Sequence, residues 1–247
     1  MRRFWTMFAA LLALIAAPAM AEEAPPSPTQ TAQPAVGPDG YTYLLHLPRA
    51  YSAKSKDRWP VLIFLHGSGE RGTDINLVKV HGPPQIADHD PDFPFVTISP
   101  QLPEGQSWDP AKLDAILDHA LKALNVDPSR VYLTGLSLGG FGTWDWAAAR
   151  PDRFAAIAPV CGRAHLETAA KVKDIPIWAF HGDSDPVVPP SDSFDMVKAV
   201  REAGGNPRLS IFPATGHNSW DHAYGDPALY YWLLSQHLPD SITKDKK

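Results

Sequence analysis

Apolar residues in this chain come in short continuous runs, separated by stretches in which they recur at helical spacing. Pro60 to Leu65 (PVLIFL) and Phe95 to Ser99 read as strands buried on both faces, and Val131 to Thr134, Phe154 to Val160, Ile175 to Phe180 and Leu209 to Phe212 read as further strands. Tyr41 to Leu47 reads as an earlier strand. Between them, Leu113, Ile116, Leu117, Leu121 and Leu124 fall on one helical face, opened by Asp109 as N-cap and Pro110 in the first turn. Further helices are predicted from the Gly139-Gly140 region to Arg150, over Ser191 to Ala203, and over Asp226 to His237. Strands alternating with helices predict an α/β fold, with a mostly parallel central sheet covered by helices on both faces.

The start of the chain follows a different pattern. Arg2 and Arg3 precede a short apolar run, Phe8 to Ala17, and Ala19-Met20-Ala21 supplies small residues at a cleavage position. That arrangement predicts a signal peptide over 1–21, since the run is shorter than the roughly 20 apolar residues of a membrane span. The expected location is the periplasm or the cell exterior, with no membrane attachment after cleavage. Residues 22–40 carry Pro25, Pro26, Pro28, Pro34 and Pro38 and predict a flexible leader. The catalytic domain is then expected over 41–239, followed by a charged tail at 240–247.

Composition narrows the function classes. Of 247 residues 44% are hydrophobic and 20% charged, enough apolar material for one sizeable core. A net charge of −5 carries no basic footprint, so nucleic acid is not an expected partner. The lone cysteine, Cys161, ends an apolar strand and reads as a small buried hydrophobe; it leaves no disulfide to form within the chain. The ten histidines form no HExxH pattern or tight ligand cluster in sequence, so neither a metal nor another cofactor is expected.

The chemistry gathers in loops that follow strands. Gly135-x-Ser137-x-Gly139 has the form of a nucleophile elbow, with a strand before it and a helix after it. A serine hydroxyl needs a histidine to remove its proton and an acid to orient that histidine. Those partners should follow in the order acid, then histidine. The loop after Ile175–Phe180 offers Asp183 and Asp185; the loop after Leu209–Phe212 offers His217, which its strand-end position and Gly216 favour over His222. An oxyanion hole should combine the amide of Leu138 with one from the Leu65–Gly72 loop, at Ser68 or Gly69. Trp108 and Trp220 lie beside these loops and are candidates, with Gly69, for lining a substrate cleft. Trp144 and Trp146, on the helix after the elbow, read as packing residues.

From about Tyr41 to Pro239 the chain resembles the α/β-hydrolases, and in particular secreted bacterial esterases grouped with polyhydroxybutyrate-depolymerase-like proteins and prolyl-oligopeptidase-type peptidases. The resemblance rests on Leu65–Gly72 (LHGSGERG), His81–Pro84 (HGPP), Ser107-Trp108, Leu133–Trp144 (LTGLSLGGFGTW), His181–Asp185 (HGDSD) and Gly216-His217. It implies a three-layer fold with Ser137 as nucleophile, Asp185 as acid and His217 as base. Dienelactone hydrolases share much of this frame but carry a cysteine at the elbow, where this chain has Ser137. The short connection from Cys161 to Asp174 leaves no room for a large lid, while the longest irregular stretch, His66 to Pro94, is expected to form the cleft rim. The expected activity is hydrolysis of small or polymeric carboxylic esters through an acyl-enzyme. A peptidase using the same triad, an acyltransferase and a non-enzymatic binding module on a hydrolase scaffold are the alternatives.

Overall fold

The computed structural model describes residues 30–239. The expected signal peptide, the first part of the leader and the tail lie outside the described residues. In chain order the strands are β1 (Gln30–Gln33), β2 (Tyr43–His46), β3 (Trp59–Leu65), β4 (Val96–Pro100), β5 (Val126–Leu136), β6 (Ala156–Val160), β7 (Trp178–Gly182) and β8 (Arg208–Phe212). The helices are α1 (Gly82–His89), α2 (Pro110–Ala123), α3 (Leu138–Ala149), α4 (Ala169–Val172), α5 (Pro190–Glu202), α6 (Trp220–Gly225) and α7 (Pro227–Leu234). The strands form one open sheet in the order β1-β2-β4-β3-β5-β6-β7-β8. The pairs β1/β2 and β2/β4 are antiparallel, and every pair from β4 to β8 is parallel.

Strand alternation splits each continuous apolar run between two cores. In β3, Val61, Ile63 and Leu65 face one cluster while Leu62 and Phe64 face the other. In β5, Val131 and Leu133 likewise oppose Tyr132. Helices α2, α3 and α5 cover the first cluster through residues such as Leu113, Trp144 and Met196. Helices α1, α6 and α7 cover the second through Ala87, Tyr224 and Leu233. This is the expected three-layer arrangement.

The site is positioned by a reversal in strand order. The chain leaves β3 through α1 on one face and β5 through α3 on the other, although β3 and β5 are neighbours with Leu65 opposite Gly135. Loops at such a switch point diverge and leave a crevice at the carboxyl ends of the strands. The connection from Cys161 to Asp174 holds a 3-10 turn at Leu166–Thr168 and the four-residue α4, so no large lid is inserted there.

Three expectations need correction. Gln30–Gln33, placed in the flexible leader, is an edge strand in register with Tyr43–His46. Its main chain pairs with β2, and Gln30 Nε2 donates to Pro84 O at 2.9 Å and to Asp88 Oδ1 at 3.0 Å. Such a strand needs no apolar face of its own. The stretch His66 to Pro94 is not irregular throughout, since it contains α1 and 3-10 turns at Ser68–Glu70 and Ile75–Val80. Pro83 and Pro84 occupy the first turn of α1, where no intrahelical N–H is required, so they start the helix rather than mark a loop. The last predicted helix ends at Leu234 rather than His237, with α6 as a separate helix before it.

Close packing at the elbow yields a stability prediction. A Cβ on Gly139 would overlap the backbone oxygen of Leu65, whereas one on Gly69 would meet nothing within 4 Å. Gly139→Ala is expected to lose roughly 3 kcal/mol or more, through a backbone clash that cannot relax cheaply. Gly69→Ala should melt near the wild-type temperature. Thermal denaturation followed by circular dichroism checks both, and coincident melts would contradict the packing described.

Candidate active site

Three loops at the carboxyl ends of β5, β7 and β8 bring together Ser137, Asp185 and His217. Ser137 joins β5 to α3 at φ +52° and ψ −117°, a conformation that L-residues rarely adopt. Two contacts hold it there: its own N–H donates to Val160 O at 3.0 Å, and the bare glycines on either side let α3 press against the end of β3. The turn leaves the serine side chain projecting from the sheet rather than lying along it.

The side chains form a continuous chain of hydrogen bonds. His217 Nδ1–H donates to Asp185 Oδ2 at 2.7 Å, and Ser137 Oγ–H donates to His217 Nε2 at 2.9 Å. A carboxylate only accepts, so the histidine proton belongs on Nδ1 and Nε2 is left as the acceptor. The Asp185 side chain is fully buried, while that of His217 is 19% exposed. Asp185 Oδ1 accepts from the amides of Val187 at 2.8 Å and Val188 at 3.0 Å. Burial alone would raise the Asp185 carboxyl, but His217 and those two amides outweigh it and hold it below the ordinary value of 3.8.

The competing residues lie elsewhere. Asp183 is exposed and accepts from Ser184 Oγ at 2.7 Å. His222 is exposed and packs its ring on Phe212, with centroids 5.0 Å apart. Trp220 does reach the site, edge-on to the His217 ring at 5.3 Å and against His81 at the same distance. Trp108 does not line a cleft. It is 7% exposed and packs in the core against Tyr41, His66 and the backbone at Gly142. Its place beside the site loops was the sequence signal, but the ring turns inward and packs against His66 and Gly142. Gly69 faces open space on the outer side of that loop.

Two amides of the expected oxyanion pair stand at helix starts. Leu138 is the first residue of α3, so no carbonyl of that helix accepts from its N–H. Ser68 opens the 3-10 turn Ser68–Glu70 and has no side-chain cap before it. His66 Nδ1–H donates to Gly67 O at 2.7 Å, and His66 Nε2 accepts from Leu102 N at 3.0 Å. In a trans peptide the carbonyl and the next N–H point opposite ways, so anchoring Gly67 O turns the Ser68 N–H away from His66. Burial drives the His66 pKa down to about 4; the bond to Gly67 opposes this and the Arg71 charge adds to it. The ring therefore stays neutral and keeps that tautomer near pH 7. Gln101 ties the same loop down, donating Nε2 to Glu70 O at 2.7 Å and Gly72 O at 3.2 Å.

His181 and Cys161 lie behind the site. His181 is fully buried, with Nε2 3.0 Å from Val188 O and 3.2 Å from Asp185 Oδ2, and Nδ1 2.7 Å from Ser193 Oγ. His66, Gln101 and His181 were missed as supports of the site, although His66 and His181 stand inside the motifs quoted for it. Cys161, Asp185 and His217 have donor atoms within 4.8 Å of one another. Burial pushes the Cys161 thiol up to about 12, so it carries no charge there, and the other two groups already bond to each other. The thiol fills space beside the buried carboxylate, as its apolar context predicts.

A mostly parallel sheet with Ser137 at a strand-to-helix elbow and Asp185 and His217 in strand-end loops is the α/β-hydrolase fold. Within it, residues 104–223, just under half of the chain, match the family model described as Dienelactone hydrolase family. A bifunctional acetylxylan esterase/xylanase of Neocallimastix patriciarum is 29% identical over 136 residues, 52% of this chain and 20% of that protein. Poly(3-hydroxyalkanoate) depolymerase C of Paucimonas lemoignei is 27% identical over 146 residues, 54% of this chain and 34% of that protein. A solved thermostable esterase is similar with a TM-score of 0.74 and 30% identity, over 85% of this chain and 63% of the other. The chain thus spans less than two thirds of each relative's length.

The depressed Asp185 carboxyl gives a pH prediction. A carboxyl whose pKa is lower folded than unfolded contributes stability fully above its unfolded value, and loses it as pH falls through the folded one. Asp185→Asn should therefore cost about 2 kcal/mol near pH 7. That gap should narrow as pH drops below about 4. Urea unfolding of both proteins across this range checks the sign, and a gap that does not change with pH would contradict it.

Proposed function

We propose that this protein is a serine hydrolase of carboxylic esters that works through an acyl-enzyme. The observation that carries the reading is the unbroken chain Ser137 Oγ, His217 Nε2, His217 Nδ1, Asp185 Oδ2, with links of 2.9 and 2.7 Å. Relatives named for ester cleavage, the acetylxylan esterase and the solved esterase among them, support it.

In this mechanism His217 Nε2 takes the proton from Ser137 Oγ as the oxygen attacks the ester carbonyl carbon. The amides of Ser68 and Leu138 donate to the oxyanion of the tetrahedral intermediate, where fixed donors act without reorganising. Collapse breaks the bond to the alcohol oxygen, which leaves with the proton held on His217. Water then attacks the acyl-Ser137 carbonyl, with His217 again as base, and releases the carboxylic acid. Asp185 keeps the imidazole in the Nδ1–H tautomer and stabilises its transient positive charge. His66 is a positioning residue for the Ser68 amide, and His181 one for the Asp185 carboxylate.

The mechanism draws on no cofactor. The protein is read as exported, with residues 1–21 removed as a signal peptide and its catalytic domain reaching Pro239. The structure has no helix, among the described residues, long and apolar enough to cross a membrane.

Hydrolysis of p-nitrophenyl esters from acetate to octanoate tests the reading. The wild type should turn over at least one member, and Ser137→Ala should lower kcat by about 10³-fold or more. A folded wild type that cleaves none of them, or a Ser137→Ala variant that keeps its rate, would refute it.

A further inference from the structure

Beside the nucleophile lies a carboxylate that the proposed mechanism does not use. Glu70 ends the 3-10 turn that begins at Ser68, so it belongs to the loop carrying one oxyanion donor. Its side chain is 12% exposed, and its Oε2 is fully buried with no hydrogen-bond partner. Seven buried side-chain polar atoms lack a partner among the described residues, and Glu70 Oε2 is the single carboxylate oxygen among them. Its position is defined by Gly67. A Cβ built there would lie 3.1 Å from Glu70 Oε2 and 3.6 Å from Ser137 Cβ, so the carboxylate and the serine flank the same bare stretch of backbone.

The surroundings hold this carboxylate without satisfying it. His81 Nε2 stands 3.7 Å from Glu70 Oε1, beyond hydrogen-bond length, and Oε2 has no partner. The His81 ring packs on Trp220, whose edge meets His217. Trp220 Nε1 is itself buried and unpartnered. An orphaned buried carboxylate oxygen is costly, and a donor arriving with a ligand removes that cost. The unmet groups on this chain of contacts are one acceptor, Glu70 Oε2, and one donor, Trp220 Nε1. Hydroxyl groups both donate and accept, whereas an ammonium only donates.

We propose that Glu70, braced by His81, is a specificity subsite for a free hydroxyl carried by the substrate a few atoms from the scissile carbonyl. The substrate class is then a hydroxylated ester: a partly acylated polyol or sugar if the hydroxyl is on the alcohol side, a hydroxyacyl ester if it is on the acid side. This rests on the ester-hydrolase reading of Ser137, His217 and Asp185. A side chain on Gly67 would crowd Leu136 Cδ1 at 2.8 Å first and Glu70 Oε2 at 3.1 Å next.

The test uses two matched pairs in which a hydroxyl replaces a methyl: 2-hydroxyethyl acetate against propyl acetate, and ethyl 3-hydroxybutyrate against ethyl 3-methylbutyrate. Released acid is titrated, and each ratio of kcat/KM is divided by the ratio of the alkaline hydrolysis rates. The wild type should favour the hydroxylated partner by about 10-fold or more in at least one pair, as expected for a hydrogen bond that satisfies a buried, unpartnered acceptor. The pair that responds identifies the side carrying the hydroxyl. Glu70→Gln should reduce the ratio and Glu70→Met should bring it near one. Because each ratio is taken within one protein, inactive or unfolded fractions cancel. No preference in either wild-type pair, or a preference that survives in both variants, overturns the subsite while leaving the esterase reading intact. No cleavage of any of the four esters by folded wild type overturns the esterase reading, and the subsite with it.

Discussion

The backbone at Ser137 is the constraint on which the site depends. A residue with a side chain at φ +52° stores strain of about 1–2 kcal/mol, and persists only where its neighbours leave no alternative. Here the end of β3, the end of β6 and the first turn of α3 close around it. Gly135 and Gly139 allow backbone contacts that no side chain would permit, and Val160 O holds the serine amide. The same packing leaves Leu138 N–H at a free helix start beside the hydroxyl. The Ser137 hydroxyl and the Leu138 amide, proposed as nucleophile and oxyanion donor, thus derive from a single local geometry, and a parallel sheet with a switch at β3 is what makes that geometry available.

Around this turn the protein separates groups that must change charge from groups that must not. His66 is kept neutral by burial, so its tautomer and the peptide it anchors stay fixed. Cys161 is kept neutral in the opposite sense, as a thiol too buried to ionise. Asp185 stays charged despite burial because amides and His217 surround it. Between them His217 has one nitrogen committed to Asp185 and the other facing Ser137. Glu70 stands beside them with Oε1 facing His81 and with Oε2 left without a hydrogen-bond partner by the fold.

Most of the architecture was legible because it follows from local rules. A continuous apolar run such as Trp59–Leu65 signals a strand with two buried faces, and Asp109-Pro110 and Asp226-Pro227 mark helix starts that the structure contains. The meeting of Ser137, Asp185 and His217 was legible because each stands at a strand end within a short motif. What escaped has long-range causes. The strand at Gln30–Gln33 exists because β2 offers an edge, which a polar composition does not report. Trp108 sits under Gly142 rather than at a cleft, and nothing in its neighbours along the chain says so. The supporting roles of Gln101 and His181 depend on contacts across the fold, and α1 was hidden by prolines that open helices as readily as they end them.

The most direct test of the account is covalent labelling of the nucleophile by a fluorophosphonate, read by mass spectrometry of the intact protein and of its peptides. Attack by an activated serine on phosphorus displaces fluoride and leaves one phosphonyl group per chain. The account predicts a single adduct on the peptide containing Ser137, absent in Ser137→Ala and strongly slowed in His217→Ala. An adduct on any other residue, or none on the folded wild type, would contradict it.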